Sequence, residues 1–347
     1  MVNRKDDKGM KKFLKAIGKL VLGIVILVLL AMVGLFSYHK IQLAREAKYL
    51  EPLGEVVEVD GHHISVYTEG TGDKTLVFLQ GGGMPSPILE AKSLYSLLSD
   101  DYRIVVLERP GYGFSDEVDG LPSLNTILDW EREALTKLQI NGPYILVPHS
   151  ASGIEAILWA QLYPEEVEAI IGLDMSIPAF YEAIYDEDDL NQMRAAKDDL
   201  EATIASLDST LFLYHTFGLT RMQYHLEKEL DSFRTGTLSD EEKEIYKAIT
   251  YQIYPNQTMM IGMLSLPEDL ELISSMPKPE VPMLLFISDG TELQMDSPES
   301  WIQLQKDYVA DNEEGTYIEL DCGHFMHNIE YKRISEEMKA FIDHLDE

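Results

Sequence analysis

The chain has 347 residues, of which 45% are hydrophobic, and its 28 basic and 60 acidic side chains give a formal net charge of −32. This length and composition suit one large α/β domain or two small ones, with ample apolar material for a core. Such an excess of negative charge repels phosphate groups, so we expect no nucleic-acid partner. Cys322 is the one cysteine, which excludes an internal disulfide.

The N-terminal segment predicts a transmembrane helix. Residues 20–38 form a run of 19 residues without a charge, which spans roughly 28 Å as a helix, close to the apolar thickness of a bilayer. A signal peptide would have a shorter apolar region, of about 7–15 residues, and a small-residue cleavage site after it. We find no such site after Ser37. We therefore predict a basic tail at 1–19, an uncleaved anchor at 20–38 and a connector at 39–54.

The charges that flank this anchor predict its orientation. Seven basic residues precede the apolar run and three follow it within ten positions, so the positive-inside rule puts the N-terminus in the cytoplasm and the rest of the chain outside the cell membrane. Residues 1–48 hold 10 basic and 3 acidic residues, which leaves a net charge of −39 on the outer part. An exported domain without disulfides fits a bacterium of the Gram-positive type.

The part of the chain after the anchor alternates between strand and helix patterns. Residues 55–60 and 63–68 alternate around Asp60-Gly61, which predicts a β-hairpin. The apolar strand cores that follow are Leu76–Leu79, Ile104–Leu107, Ile145–Val147 and Ala169–Leu173, with helical patterns near Ile88–Leu98, Leu124–Leu138 and Gly153–Leu162. Apolar strands separated by helices predict a mostly parallel sheet covered by helices on both faces.

This alternation stops after Pro178, where several amphipathic helical patterns run to residue 278. We predict that 179–278 is a helical cap inserted before the seventh strand. The core would then comprise 55–178 and 279–347, with strands at 282–288 and 317–320 and helices at 301–309 and 334–345.

A short apolar run that ends in a serine carries the strongest chemical signal. The sequence Tyr-Ile-Leu-Val-Pro-His-Ser-Ala-Ser-Gly at 144–153 has the form of a nucleophile elbow, in which a buried strand turns sharply into a helix and exposes a serine hydroxyl. Ser152 and Gly153 supply small residues where strand and helix nearly collide, whereas Pro148 stands where the pattern G-x-S-x-G has glycine. Ser150 is the candidate nucleophile. A helix N-cap is the alternative role for Ser150 or Ser152.

A histidine near the C-terminus completes the pattern. His324 follows Gly323 directly after the strand-like segment 316–320, and a serine needs such a base to take its proton. From about Glu55 to its end the chain resembles the α/β-hydrolase superfamily, whose members carry serine, acid and histidine in this order. The resemblance implies the α/β-hydrolase fold and a serine hydrolase with Ser150 as nucleophile and His324 as base.

The resemblance leaves the acid open among three carboxylates. Aligning 282–288 with the family's seventh strand puts Thr291 where an aspartate is usual, with Glu292 one residue on and Asp289 two residues back. Asp174 ends the preceding strand, where some members carry the acid. We favour Glu292, with Asp289 and Asp174 as the alternatives.

The predicted oxyanion hole combines two backbone N–H groups. Gln80-Gly81-Gly82-Gly83 resembles the family's His-Gly turn, with glutamine in place of the histidine. Glycines let the backbone approach a substrate carbonyl, and we predict Gly82 as one donor and Ala151 as the other, with Gly83 as the alternative to Gly82. His62-His63 has no carboxylate partners at helical spacing, and we predict neither a metal nor a cofactor.

The leading functional hypothesis is a membrane-anchored serine hydrolase that cleaves an ester or amide bond of a small substrate through an acyl-enzyme. The cap would form an apolar pocket, for which Met259, Met260 and Met263 suit an adaptable lining, and core packing is the alternative role of these residues. Two alternatives stay open. The cap and turn pattern also resemble proline-iminopeptidase-like hydrolases, which implies aminopeptidase action on a short peptide. Pro148, Gln80 and the open choice of the acid leave a second alternative, an inactive hydrolase fold that acts as a binding module.

Overall fold

An eight-stranded sheet forms the centre of the computed structural model, which describes residues 4–235, 237–293, 295 and 297–345. The strands lie in the order β1-β2-β4-β3-β5-β6-β7-β8; β2 is antiparallel to β1 and to β4, and the pairs from β4 to β8 are parallel. The strands are β1 (Glu55–Val59), β2 (His62–Glu69), β3 (Thr75–Leu79), β4 (Arg103–Glu108), β5 (Tyr144–Pro148), β6 (Val167–Leu173), β7 (Met283–Ile287) and β8 (Gly315–Glu319).

Helices cover both faces of this sheet, as predicted. The helices of the core are α2 (Pro87–Tyr95), α3 (Leu124–Lys137), α4 (Gly153–Leu162), α14 (Pro298–Ala310), α15 (Met326–Ile329) and α16 (Tyr331–His344). Val77 and Leu79 of β3 pack with α3 and α4 on one face, and Leu76 and Phe78 pack with α2 and α16 on the other. Since successive side chains of a strand point to opposite faces, a strand buried on both faces must be apolar throughout.

The helical cap lies between β6 and β7, as predicted. Its helices are α5 (Pro178–Ile184), α6 (Glu187–Asp198), α7 (Leu200–Phe217), α8 (Leu219–Gln223), α9 (Leu226–Glu229), α10 (Asp231–Arg234), α11 (Asp240–Ile253), α12 (Gln257–Ile261) and α13 (Leu266–Ser274). Residues 1–3 of the predicted tail, 236 of the predicted cap, and 294, 296, 346 and 347 of the predicted core lie outside the described residues.

The N-terminal segment is one helix, α1 (Arg4–Glu46), followed by a single 3₁₀ turn at Ala47–Tyr49. Its apolar part is exposed and no part of its most apolar stretch is buried against the rest of the chain. Residues 39–46 of the predicted connector continue this helix. This extension has two causes. The segment contains helix-forming residues such as Leu43, Ala44 and Glu46, and α1 packs there against α7 and α11.

Glu90 and Glu108 are two of the fully buried glutamates of the described residues. Glu90 of α2 accepts hydrogen bonds from Ser232, Tyr246 and Asn328, and Glu108 accepts one from the backbone N–H of Phe114. Burial raises the pKa of Glu90 from 4.5 to about 7 and that of Glu108 from 4.5 to about 7. In the folded state both carboxyls are therefore mainly protonated below about pH 7.

These two groups make folding stability depend on pH. Their stabilising contribution is fully present below the unfolded pKa and is lost as pH rises from about 4.5 through about 7. The free energy of unfolding of the parent should therefore fall between pH 4.5 and pH 8. In Glu90→Gln this fall should be smaller by roughly 3 kcal/mol. Urea unfolding of the full chain in detergent at both pH values measures this difference. Glu165→Gln, at an exposed position, is the matched control and should leave the difference unchanged; equal pH dependence in all three proteins would contradict the prediction.

Candidate active site

Ser150 lies at a sharp turn between β5 and α4. The strand ends at Pro148, His149 extends it by one bridge to Leu173, and residues 150–152 form a 3₁₀ turn that leads into α4. The φ angle of Ser150 is 55°, a left-handed conformation that costs a non-glycine residue free energy and that clusters at functional sites. The elbow thus forms with Pro148 in place of the usual glycine.

Two glycines make this turn possible through close backbone approach. A Cβ atom on Gly81 would lie 2.6 Å from the Cβ of Ser150, and one on Gly153 would lie 2.1 Å from the backbone oxygen of Ser176. The N–H of Ser176 in turn donates to the carbonyl of Ser150 at 2.7 Å. Glycine is therefore needed at both positions, so that the segment after β6 and the turn after β3 can approach the serine.

Ser152 has a different environment from Ser150. It is fully buried, its hydroxyl donates to the carbonyl of Leu79 at 2.6 Å, and it accepts from the N–H of His149 at 3.0 Å. Ser150 is partly exposed. The hydroxyl of Ser152 is thus engaged in tying the elbow to β3, which leaves Ser150 as the serine that faces outward.

A buried carboxylate holds the imidazole of His324. The Nδ1 of His324 lies 2.6 Å from Oδ2 of Asp174, and the His324 side chain is 12% exposed while that of Asp174 is fully buried. The other oxygen of Asp174 accepts from the N–H of Ser288 and from Nε1 of Trp301, both at 2.8 Å. Three donors fix this carboxylate, so the imidazole that contacts it is held in one orientation.

We favoured Glu292 as the acid that contacts the imidazole of His324, and in the structure Glu292 does not make this contact. Glu292 accepts from the backbone N–H of His324 at 2.8 Å and packs its carboxyl group over Gly323. Asp289 is also elsewhere, since its Oδ1 accepts from the N–H and the hydroxyl of Thr291 within its own turn. Of the three carboxylates weighed, the one on the imidazole is Asp174. Sequence spacing cannot distinguish a carboxylate after β6 from one after β7. The two strands are neighbours in the parallel sheet, and their carboxyl ends lie at the same edge.

The two predicted oxyanion donors line one cavity. Gly82 and Ala151 both lie in the wall of a cavity of about 300 Å³ between the core and the cap. Gly83 lines it too, but its N–H donates to the hydroxyl of Tyr112 at 3.2 Å. This bond favours Gly82 over Gly83 as the donor. Met259 and Met263 lie in the cap wall of this cavity, whereas Met260 is 41% exposed beside it.

Two further histidines, His149 and His327, form a cluster of rings with His324. The ring of His149 lies 4.7 Å from that of His324 and 4.5 Å from that of His327, centroid to centroid, whereas regular strand alternation would point His149 away from the side of Ser150. Alternation holds only within a regular strand, and the chain leaves the strand here. Burial lowers the pKa of His149 well below 6.5 and that of His327 to about 3, so both rings are neutral at pH 7.

An ionic group that no sequence motif indicated borders the cavity. The Nε of Arg109 lies 3.3 Å from Oε2 of Glu155, and Arg109 and Asp269 line the cavity. Burial, and next the nearby Glu155, raise the pKa of Glu131 well above 4.5. Protonated Glu131 beside the Arg109–Glu155 pair limits the charge buried at this end of the cavity.

Comparison with known proteins gives one family and several relatives. Residues 74–329 match the profile of the alpha/beta hydrolase fold family. The uncharacterized protein YbdG of Bacillus subtilis is 37% identical over 302 residues, which cover 87% of this chain and 88% of that protein. The pimeloyl-[acyl-carrier protein] methyl ester esterase of Shewanella woodyi is 24% identical over 227 residues, 63% of this chain and 77% of the esterase.

The solved structures agree in fold. The epoxide hydrolase of Bacillus megaterium, in complex with an inhibitor, superposes with a TM-score of 0.59 and 16% identity over 83% of this chain and all of that one. At this identity the likeness concerns the fold alone.

Proposed function

The chain belongs to the alpha/beta hydrolase family, and on that premise we propose that it is a serine hydrolase that cleaves the ester or amide bond of a small substrate through an acyl-enzyme. The observation that carries this proposal is the 2.6 Å contact between the imidazole of His324 and the buried carboxylate of Asp174, on the same edge of the sheet as the strained elbow at Ser150. An orienting carboxylate on a histidine that can reach a serine hydroxyl is the arrangement that activates this hydroxyl.

The first half of the reaction forms the acyl-enzyme. Nε2 of His324 takes the proton of Ser150 as Oγ attacks the substrate carbonyl carbon, and the carbonyl oxygen becomes an oxyanion. The N–H groups of Ala151 and Gly82 stabilise this oxyanion. The tetrahedral intermediate then expels the alcohol or amine, which leaves with the proton from the imidazolium of His324.

The second half returns the free enzyme. Water gives a proton to His324 and attacks the acyl carbon, and collapse of the new intermediate breaks the bond to Oγ of Ser150, which regains its proton. Asp174 keeps its negative charge throughout, holds Nδ1–H and stabilises the imidazolium that forms in both halves. Its three accepted hydrogen bonds support this role, because they lock the carboxylate in place before the reaction.

Labelling with a fluorophosphonate probe tests this proposal against an inactive fold that only binds ligands. The probe reacts with a serine only when a base activates it, so we expect the full chain to be labelled on Ser150 and the Ser150→Ala variant to stay unlabelled. Mass spectrometry of the labelled peptide locates the adduct. A chain that binds the probe nowhere, or one labelled equally after Ser150→Ala, would remove the serine mechanism.

We further propose that α1 anchors the enzyme in the cell membrane with its N-terminus in the cytoplasm. Its apolar stretch has a mean hydropathy of 3.0 and is exposed along its length, and its basic residues cluster before that stretch. In intact membranes, protease added from outside should digest the chain after Tyr38 and spare the segment before Leu20. Release of the domain by high salt without detergent would contradict the anchor.

A further inference from the structure

The cap is fixed to the end of α1 by a partly buried ion pair. The Nη1 of Arg221 in α8 donates to Oε1 of Glu46 at 2.6 Å, Nη2 donates to the other oxygen, and Nε donates to Nδ1 of His39 at 3.0 Å. His39 is buried, and a Cβ on Gly218 would lie 2.4 Å from its ring. Because His39 follows Tyr38 directly, the end of α7 meets α1 within one helical turn of the apolar stretch.

The cap surface next to this joint is almost uncharged. Residues 200–224 contain three charged side chains, Glu201, Asp208 and the paired Arg221, in a part of the chain that is otherwise strongly acidic. Five large apolar side chains, between 39% and 61% exposed, lie on α7, α8 and α12 and on the turn after α12; this apolar cap surface consists of Phe212, Leu213, Met222, Met260 and Met263. Exposed apolar side chains concentrated in one region of a soluble domain mark an interaction surface.

The apolar cap surface extends to the rim of the cavity. Helix α7 packs against both α1 and α12. The residues Met259 and Ile261 of α12 and Met263 just after it line the cavity, and Met263 is also 39% exposed. Apolar side chains therefore extend from the end of the anchor over the cap to the cavity that Gly82 and Ala151 also line.

We propose that the apolar cap surface lies on the bilayer that holds α1, and that the cavity accepts the acyl chain of a lipid ester from that bilayer. The inference rests on the proposed serine hydrolase and its anchor and adds their substrate class. The ion pair between Arg221 and Glu46 fixes the cap relative to the anchor, and the shortage of charge lets this one face approach lipid while the rest of the acidic domain stays in water.

Activity on two esters tests the substrate class. The full chain is reconstituted in phosphatidylcholine vesicles that contain methylumbelliferyl oleate, and p-nitrophenyl acetate is the soluble comparison. Leu213→Glu should lower kcat/KM for the oleate ester by roughly tenfold, about 1.4 kcal/mol, and leave the acetate unchanged. Leu97→Glu is the matched control, since Leu97 is 38% exposed before the amino end of β4, at the sheet edge opposite Ser150; it should change neither. Equal effects of Leu213→Glu on both esters, or none on the oleate, would overturn the inference.

A fluorescence measurement tests the membrane contact without any activity. The buried Cys322 is the one native cysteine, so Met222→Cys can carry a single environment-sensitive fluorophore at the apolar cap surface, with Leu97→Cys as control. In vesicles the label at 222 should shift to the blue and be quenched by lipids with brominated acyl chains, and the label at 97 should not. A blue shift without lipid quenching would mean that a second copy or another protein covers the surface. Lipid quenching with no hydrolysis of either ester would instead keep the membrane contact and remove the hydrolase.

Discussion

Ser150→Ala is expected to lower kcat for a short p-nitrophenyl ester by roughly 10⁴-fold or more, because the acyl-enzyme cannot form without its oxygen. The elbow conformation of Ser150 is set by β3, β5 and the segment after β6, so the fold should survive the loss of one hydroxyl. Initial rates at saturating ester, with circular dichroism as the check on folding, measure the effect.

Ser152→Ala is the matched control for this variant. Its hydroxyl bonds to Leu79 and His149, so its loss should cost about 1–3 kcal/mol of folding stability and leave kcat within about tenfold of the parent. Full activity after Ser150→Ala, or loss of turnover after Ser152→Ala in a folded protein, would show that the nucleophile is misassigned.

Asp174→Asn is the second change with a large expected effect. An amide at this position cannot hold Nδ1–H of His324 in the same way and cannot stabilise the imidazolium, so kcat should fall by roughly 10⁴-fold with little change in substrate binding. The drop should appear in kcat and kcat/KM together, because the missing interaction acts in the transition state.

Two other carboxylates separate the roles at this site. Glu292→Gln removes the charge that faces the N–H of His324 but not the partner of its imidazole, so its kcat should fall by no more than about tenfold. Asp289→Asn, within its own turn, should be close to the parent. A variant Glu292→Gln as inactive as Asp174→Asn would mean that the backbone contact of Glu292 is essential to the position of the histidine, and an active Asp174→Asn would refute the assignment of the acid.

The local patterns of the sequence determined the elements and the order of the chemistry. Apolar strands separated by helical patterns were enough for a parallel sheet, since a strand buried on both faces must be apolar along its whole length. The run from Tyr144 to Gly153 specified the elbow because the steric demands of the turn act on adjacent residues. At position 153 only glycine fits, since a Cβ atom there would lie 2.1 Å from a backbone oxygen. The charge-free stretch of α1 was equally evident from composition.

Tertiary structure decided what depends on residues far apart in the chain. Asp174, not Glu292, contacts the imidazole of His324, which lies 150 positions later in the chain. The spacing of residues near the seventh strand carries no information about a residue at the end of the sixth. The packing of His149 against His324 and His327 also depends on residues far apart in the chain. So do the hydrogen bonds of Arg221 with His39 and Glu46. Each is a contact between side chains whose backbones are brought together only by the sheet order and by the packing of the cap, and neither property is encoded in any local window of residues.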